Sequence, residues 1–218
     1  MEHIAVIDYG MGNLRSVAKA VEHVAPNHKV SVTSDAAVIS EADRVICPGQ
    51  GAAADCMHAL TECGLTDVIK TAARTRPFFG ICMGLQVLLT RSDENDGVEC
   101  LDILPGVVRR FAAPLINDSG ARLKVPHMGW NEVTHESTAK SLHPMWQGID
   151  DRTRFYFAHS YYCDPNSTES VAAYSDYGRT IAVALATDSV FACQFHPEKS
   201  SVAGLKLLSN FVGWDGKA

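Results

Sequence analysis

The run FFGICMGLQVLL, residues 78–89, constrains the fold more than any other stretch of the chain. Large apolar side chains lie on both sides of Gly80-Ile81-Cys82-Met83-Gly84, yet two glycines interrupt them around a thiol. A buried strand would continue in Val or Ile, and a helix does not readily start on Gly. The pattern predicts a strand over 78–82 that ends abruptly, a tight turn carrying Cys82, and a helix that starts at once over 83–92. Whether the thiol is a nucleophile or a small core residue stays open here, because free Cys is among the most buried residue types.

The surrounding sequence says what sheet that strand joins. HIAVID (3–8), HKVSVTS (28–34) and DRVICPG (43–49) are short, β-branched runs bounded by turn residues. Helical stretches over about 13–25, with Leu14, Val17, Ala18 and Val21 on one face, and over about 52–75 separate them. Strands alternating with helices predict an α/β fold on a mostly parallel sheet. From VVRRF (107–111) onward the character changes. TRFYFAHSYYC (153–163), SVAAYS (170–175), TIAVALAT (180–187) and VFACQF (190–195) read as strands joined by short turns, an antiparallel extension of the sheet. A last helix is expected over 201–214, with Val202, Leu205, Leu208 and Phe211 inward. No repeat, low-complexity tract or linker divides the 218 residues, which predicts one domain.

Composition narrows the function classes. A net charge of −6 argues against nucleic acid or an anionic membrane as partner, and no apolar run reaches the roughly 18–20 residues of a membrane-spanning helix. The start, MEHIAVIDYGMGNL, lacks the basic and apolar regions of a signal peptide. Seven cysteines without a C-x-x-C pair make a poor disulfide framework and a poor zinc site, so a reducing cytoplasm is expected. His127, His135 and His143 recur every eight residues, but a loop-like segment without a Cys or carboxylate cluster predicts no metal. Trp130 is expected to pack under the site. Asp93, Glu94 and Asp96 read as a solvated acidic turn.

In an open α/β sheet, ligands collect at the carboxyl ends of the parallel strands. Three glycine-rich loops would project there: DYGMGN (8–13), CPGQGA (47–52) and GICMG (80–84). The first is a partial dinucleotide fingerprint, with Arg15 at its third position and Asp35 after the second strand. The second is either a plain turn or a backbone donor to an oxyanion. The third fits a nucleophile on a strand-to-helix turn. After the last strand comes QFHPEKS (194–200), where His196 is followed two residues later by Glu198. A thiolate needs a base, and the base needs an orienting group.

G-I-C-x-G-x-Q (80–86), P-G-x-G (48–51) and F-H-P-E (195–198) together resemble the class I, or triad, glutamine amidotransferases. DYGMGNL (8–14), PHMGWNEV (126–133), YFAHSYY (156–162) and FHPEKSS (195–201) resemble, within that family, the glutaminase subunits of imidazole glycerol phosphate synthase. The likeness runs in order along nearly the whole chain. It implies Cys82 as nucleophile, His196 as proton shuttle and Glu198 as its orienting partner. It implies Gly49, Gln50 and Gly51 as the oxyanion strand, with the Gln50 and Met83 backbone N–H groups as donors. Gln86, His159, Ser160 and Tyr161 would hold the amino-acid end of L-glutamine. Asn13, Tyr156 and Lys199 would lie at or near an interface with a (β/α)8-barrel cyclase subunit, in a heterodimer. No cofactor is implied. Gln50 departs from the smaller apolar residue of many relatives, where only a backbone donor is required. An amidotransferase for another acceptor, such as pyridoxal phosphate synthase, is the nearest alternative reading. A nucleotide-binding regulatory module and a stand-alone γ-glutamyl hydrolase are more distant ones.

Overall fold

The computed structural model describes residues 1–117, 119–135 and 142–217. In the first half, β1 (His3–Ile7), β2 (Lys29–Thr33), β3 (Arg44–Gly49) and β4 (Phe78–Cys82) run parallel in the order β2-β1-β3-β4. They are joined by α1 (Leu14–Val24), α2 (Ala36–Glu41), α3 (Ala53–Glu62) and α4 (Thr66–Thr75). Side chains of β1 alternate between two cores: Ile4 and Val6 pack with Val17 and Val21 of α1, while Ala5 and Ile7 pack with Ile39 of α2 and Leu60 of α3. A strand buried on both faces needs this near-continuous apolar sequence, and β4 is buried at all five positions.

Two helical expectations are corrected. The stretch 52–75 is two helices, broken at Gly64, whose φ of +65° suits glycine. The helix expected over 83–92 lasts only one turn, α5 (Met83–Gln86), and the chain then extends into β5 (Leu89–Ser92). Leu88 and Leu89 are wholly buried, and the Leu88 carbonyl accepts from the N–H groups of Ile103 and Leu104. A run apolar on every side is better buried by a ladder of neighbours than by a surface helix.

The second half continues through β6 (Val98–Glu99), β7 (Leu104–Arg110), the small hairpin of β8 (Leu115–Ile116) and β9 (Arg122–Leu123), and β10 (His127–His135). Then come β11 (Thr153–His159), β12 (Tyr161–Pro165), β13 (Val171–Asp176), β14 (Thr180–Ala186), β15 (Val190–Cys193) and α6 (Ser201–Gly213). β15 lies parallel beside β4, and the sheet continues as β14-β12-β7-β5-β6, with antiparallel pairing from β15 through β14 and β12 to β7. The mostly parallel α/β sheet with an antiparallel extension is the expected one. Two details differ. Residues 153–163 divide at Ser160, where the chain leaves its pairing with β10 for one with β7. Residues 127–135 form a strand rather than a loop. On α6 the inward face is Gly204, Leu207, Leu208 and Phe211, and Val202 is exposed. Among the described residues no helix is long and apolar enough to cross a membrane.

Candidate active site

β1, β3, β4 and β15 all end at the same edge of the sheet, and the site is built there. Cys82 closes β4 with φ +56° and ψ −109°, a conformation that costs a non-glycine residue on the order of 1–3 kcal/mol. The flanking glycines make the turn possible by allowing close packing. A Cβ on Gly84 would lie 1.8 Å from the Cys47 carbonyl oxygen of β3, and one on Gly80 would lie 2.7 Å from the Gly84 oxygen. The elbow is thus pressed against β3, with Cys82 itself 5% exposed. Because α5 is a single turn, it aligns few peptide dipoles behind the sulfur.

The neighbouring strand delivers the base. β15 pairs with β4 through Cys193 opposite Ile81, and the chain runs on through buried Gln194 and Phe195 to His196. A short turn over Pro197–Lys199 brings the Glu198 carboxylate back, with Oε1 3.0 Å from His196 Nδ1. Burial alone would lower the His196 pKa. The hydrogen bonds and charges of Cys82 and Glu198 outweigh it and push His196 up to about 10. Two further contacts fix this turn. The Ser200 hydroxyl donates to the His196 carbonyl at 2.6 Å and accepts from the Tyr156 N–H at 2.9 Å. Gly204 lets α6 close on it, since a Cβ there would meet the Pro197 oxygen at 1.9 Å.

A cavity of about 350 Å³ opens beside the sulfur, within the range of small-molecule sites. Gln50, Gly51, Cys82, Met83, Gln86, His159, Ser160, Tyr161, His196 and Lys199 line it. Gly49 sits behind it in β3 against Met83, and Glu198 is hidden behind His196. Asn13 begins α1, and Gly12 beside it packs on Gly49. Asp35 caps α2 by accepting from the Ala37 N–H at 2.8 Å. Tyr156 lies beside the cavity-lining Lys199, whose Nζ is 6.0 Å from its ring centre, with Trp130 edge-on to it at 6.2 Å. Trp130 does not lie under the site: it is 51% exposed on β10, next to Met128 at 65%. Strand alternation accounts for this, as His127 points inward and its neighbour outward.

Several residues of the site escaped the sequence reading. Glu94 lines the cavity and accepts from the Ala53 N–H at 2.7 Å, so it caps α3 rather than sitting in a solvated turn; Asp93 does remain outside, paired with Arg91 and Arg109. Gln194 Nε2 lies 3.8 Å from Cys82 Sγ, and Gln194 Oε1 accepts from Gln86 Nε2 at 2.9 Å. His127 Nδ1 lies 2.9 Å from His159 Nε2, and His159 Nδ1 donates to the Tyr161 carbonyl at 2.7 Å. A carbonyl only accepts, so His159 carries its proton on Nδ1 and His127 donates to it. Burial pushes His127 down to about 4 and His159 to about 3, which keeps the pair neutral. His135 stacks on Trp146, and His143 Nδ1 accepts from the Met145 N–H. Gln194 and Gln86, His127 and His159, and Glu94 and Ala53 lie far apart in sequence, and no local pattern marks these pairs.

A strained cysteine elbow, a histidine–carboxylate pair from the adjacent strand and a cavity between them, on this sheet, define a class of protein. Residues 5–213 match the class-I glutamine amidotransferase family, and the chain belongs to that family. It is 56% identical over 215 residues to the imidazole glycerol phosphate synthase subunit HisH of Aromatoleum aromaticum, covering 98% of this chain and 99% of that one. It is 53% identical over 217 residues to subunit HisH 1 of the same synthase from Pseudomonas aeruginosa, covering 100% and 99%. Among solved structures, a glutamine amidotransferase (TM-score 0.69, 17% identity, 96% of this chain and 97% of that one) and PurLQS from Thermotoga maritima (0.69, 17%, 97% and 98%) share the fold.

Proposed function

We propose that this glutamine amidotransferase is the ammonia-supplying subunit of an imidazole glycerol phosphate synthase, acting in histidine biosynthesis. The observation that carries the mechanism is the juxtaposition of Cys82 with the His196–Glu198 pair at one wall of the cavity. The Cys82 thiolate attacks the side-chain amide carbon of L-glutamine, forming the S–C bond. The C–N bond then breaks as His196 gives its proton to the departing ammonia. Water attacks the glutamyl thioester, His196 takes up the proton, and the thiolate leaves to yield glutamate. Glu198 orients His196 and balances its charge. The backbone N–H groups of Gln50 and Met83 serve as oxyanion donors, with Gly49 and Gly51 giving the strand its close approach. Gln86, His159, Ser160 and Tyr161 hold the amino-acid end of the substrate.

The ammonia passes to a (β/α)8-barrel cyclase subunit in a heterodimer, which makes imidazole glycerol phosphate and an aminoimidazole carboxamide ribotide. Asn13, Tyr156 and Lys199 belong to that interface, and the exposed Trp130 beside Tyr156 and exposed Met128 beside the same cavity as Lys199 supply the apolar surface such a contact uses. In this reading residues 1–218 are one amidotransferase domain working in the cytoplasm. The test is Cys82→Ala in the complex with the cyclase. Glutamine-dependent synthesis is expected to vanish while synthesis from added ammonia persists. Retained use of glutamine would remove Cys82 from the role of nucleophile.

A further inference from the structure

We propose that Gln194 is a catalytic residue: its side-chain amide donates to the Cys82 sulfur and favours the thiolate, at the end of a one-way relay that starts at the Tyr161 carbonyl and runs through Gln86. The proposal rests on the reading of Cys82 as nucleophile. Its physical basis is the direction of the relay. A carbonyl oxygen only accepts, so the Gln86 atom 3.4 Å from the Tyr161 oxygen is Nε2. That same Nε2 lies 2.9 Å from Gln194, which must therefore present Oε1 to it. Gln194 Nε2 is then left facing Cys82 Sγ at 3.8 Å. Turning Gln194 alone would set nitrogen against nitrogen, and turning both amides would set oxygen against the Tyr161 oxygen.

Gln194 cannot relax out of this geometry. It is wholly buried, and its backbone N–H donates to the Val183 carbonyl of β14 at 2.8 Å. A thiolate accepts a hydrogen bond from an amide far better than a thiol does, so a fixed donor aimed at the sulfur favours the charged form. Tyr9 after β1, Cys56 on α3, Cys163 on β12 and Cys193 on β15 are all raised by burial and stay neutral near pH 7, so none of them brings a positive charge to the sulfur. His196 is the other group that favours the thiolate. Gln194 thus adds a second contact to the sulfur beside that of the base, and it also connects the sulfur to Gln86 at the substrate end.

The experiment follows the alkylation of Cys82 by iodoacetamide against pH in the full chain, reading the mass of the Cys82 peptide so that Cys63 and Cys100 do not contribute. Gln194→Met keeps the volume and removes the donor, and Gln194→Leu does the same with a different shape should the thioether pack badly. The pH midpoint of alkylation is expected to rise by about one unit, cutting the rate at pH 7 about tenfold, with the high-pH plateau unchanged. The acid limb of kcat/KM for glutamine should move by the same amount in the complex with the cyclase. A midpoint that coincides with the parent chain's in a folded variant would overturn the proposal. If instead the glutaminase reading fails, the parent chain releases no glutamate while the alkylation midpoints still differ.

Discussion

At the residue scale, the site depends on atoms that are absent. Gly84 lets α5 close against β3, and a single added methyl would meet the Cys47 carbonyl oxygen well inside contact distance. Gly84→Ala is therefore expected to destabilise the chain by on the order of 3 kcal/mol or more in chemical denaturation and to abolish glutamine use. Gly213 at the end of α6 has open space around it, so Gly213→Ala should change stability by less than about 1 kcal/mol. If both variants were equally stable, close packing at the elbow would not be what the glycine provides. This part of the site was legible in the sequence, because a glycine-flanked Cys between apolar runs is a local constraint. Gln194, Glu94 and His127 were not legible, since each works through a partner that only the sheet brings near. Glu94 in particular sits in a run of acidic and polar residues that reads as solvent-exposed, and nothing local says that its carboxylate turns back to Ala53.

At the scale of elements, the triad turn is held by its neighbours rather than by its own helix. Ser200 joins β11 to the His196 carbonyl, and His196 donates its N–H to the Tyr156 carbonyl at 2.9 Å. Ser200→Ala leaves the Tyr156 N–H without its acceptor and the His196 carbonyl with only the Lys199 N–H, with an expected loss of about 1–3 kcal/mol in stability. It should also lower kcat more than it raises KM, because it disturbs the orientation of His196 and not the cavity wall. Unchanged kcat in a destabilised variant would make the Ser200 contact purely architectural. Element types were largely readable from the sequence, and the two segments whose type was misread share one cause. The run after α5 and the strand β10 carry no clean period, so tertiary pairing decided both: β5 by its neighbours at 101–104, and β10 by its full-length pairing with β11.

At the scale of the whole molecule, the buried imidazoles set the acid side of stability. His127 and His143 are pushed down to about 4 and His159 to about 3, so the folded chain resists protons that the unfolded chain binds near pH 6.5. Their contribution is complete above pH 6.5 and is lost as pH falls toward 4 for His127 and His143, on the order of 3 kcal/mol each, and toward 3 for His159, on the order of 5 kcal/mol. His196 has the opposite sign. Raised to about 10, it stabilises fully below pH 6.5, and that contribution is lost as pH rises through 10. Urea titrations from pH 4 to 10 should give a maximum near neutrality, and His127→Asn should flatten the acid limb. The site as a whole sits at the edge where four parallel strands end, with Lys199 in its wall, Tyr156 beside Lys199 and exposed Trp130 edge-on to Tyr156. The most direct measurement is glutamate released from L-glutamine by the chain alone, then with the cyclase subunit and its ribotide ligand. Strong activation on adding both is the predicted result. No release under either condition would contradict the account and leave Cys82 a core thiol on a strained turn.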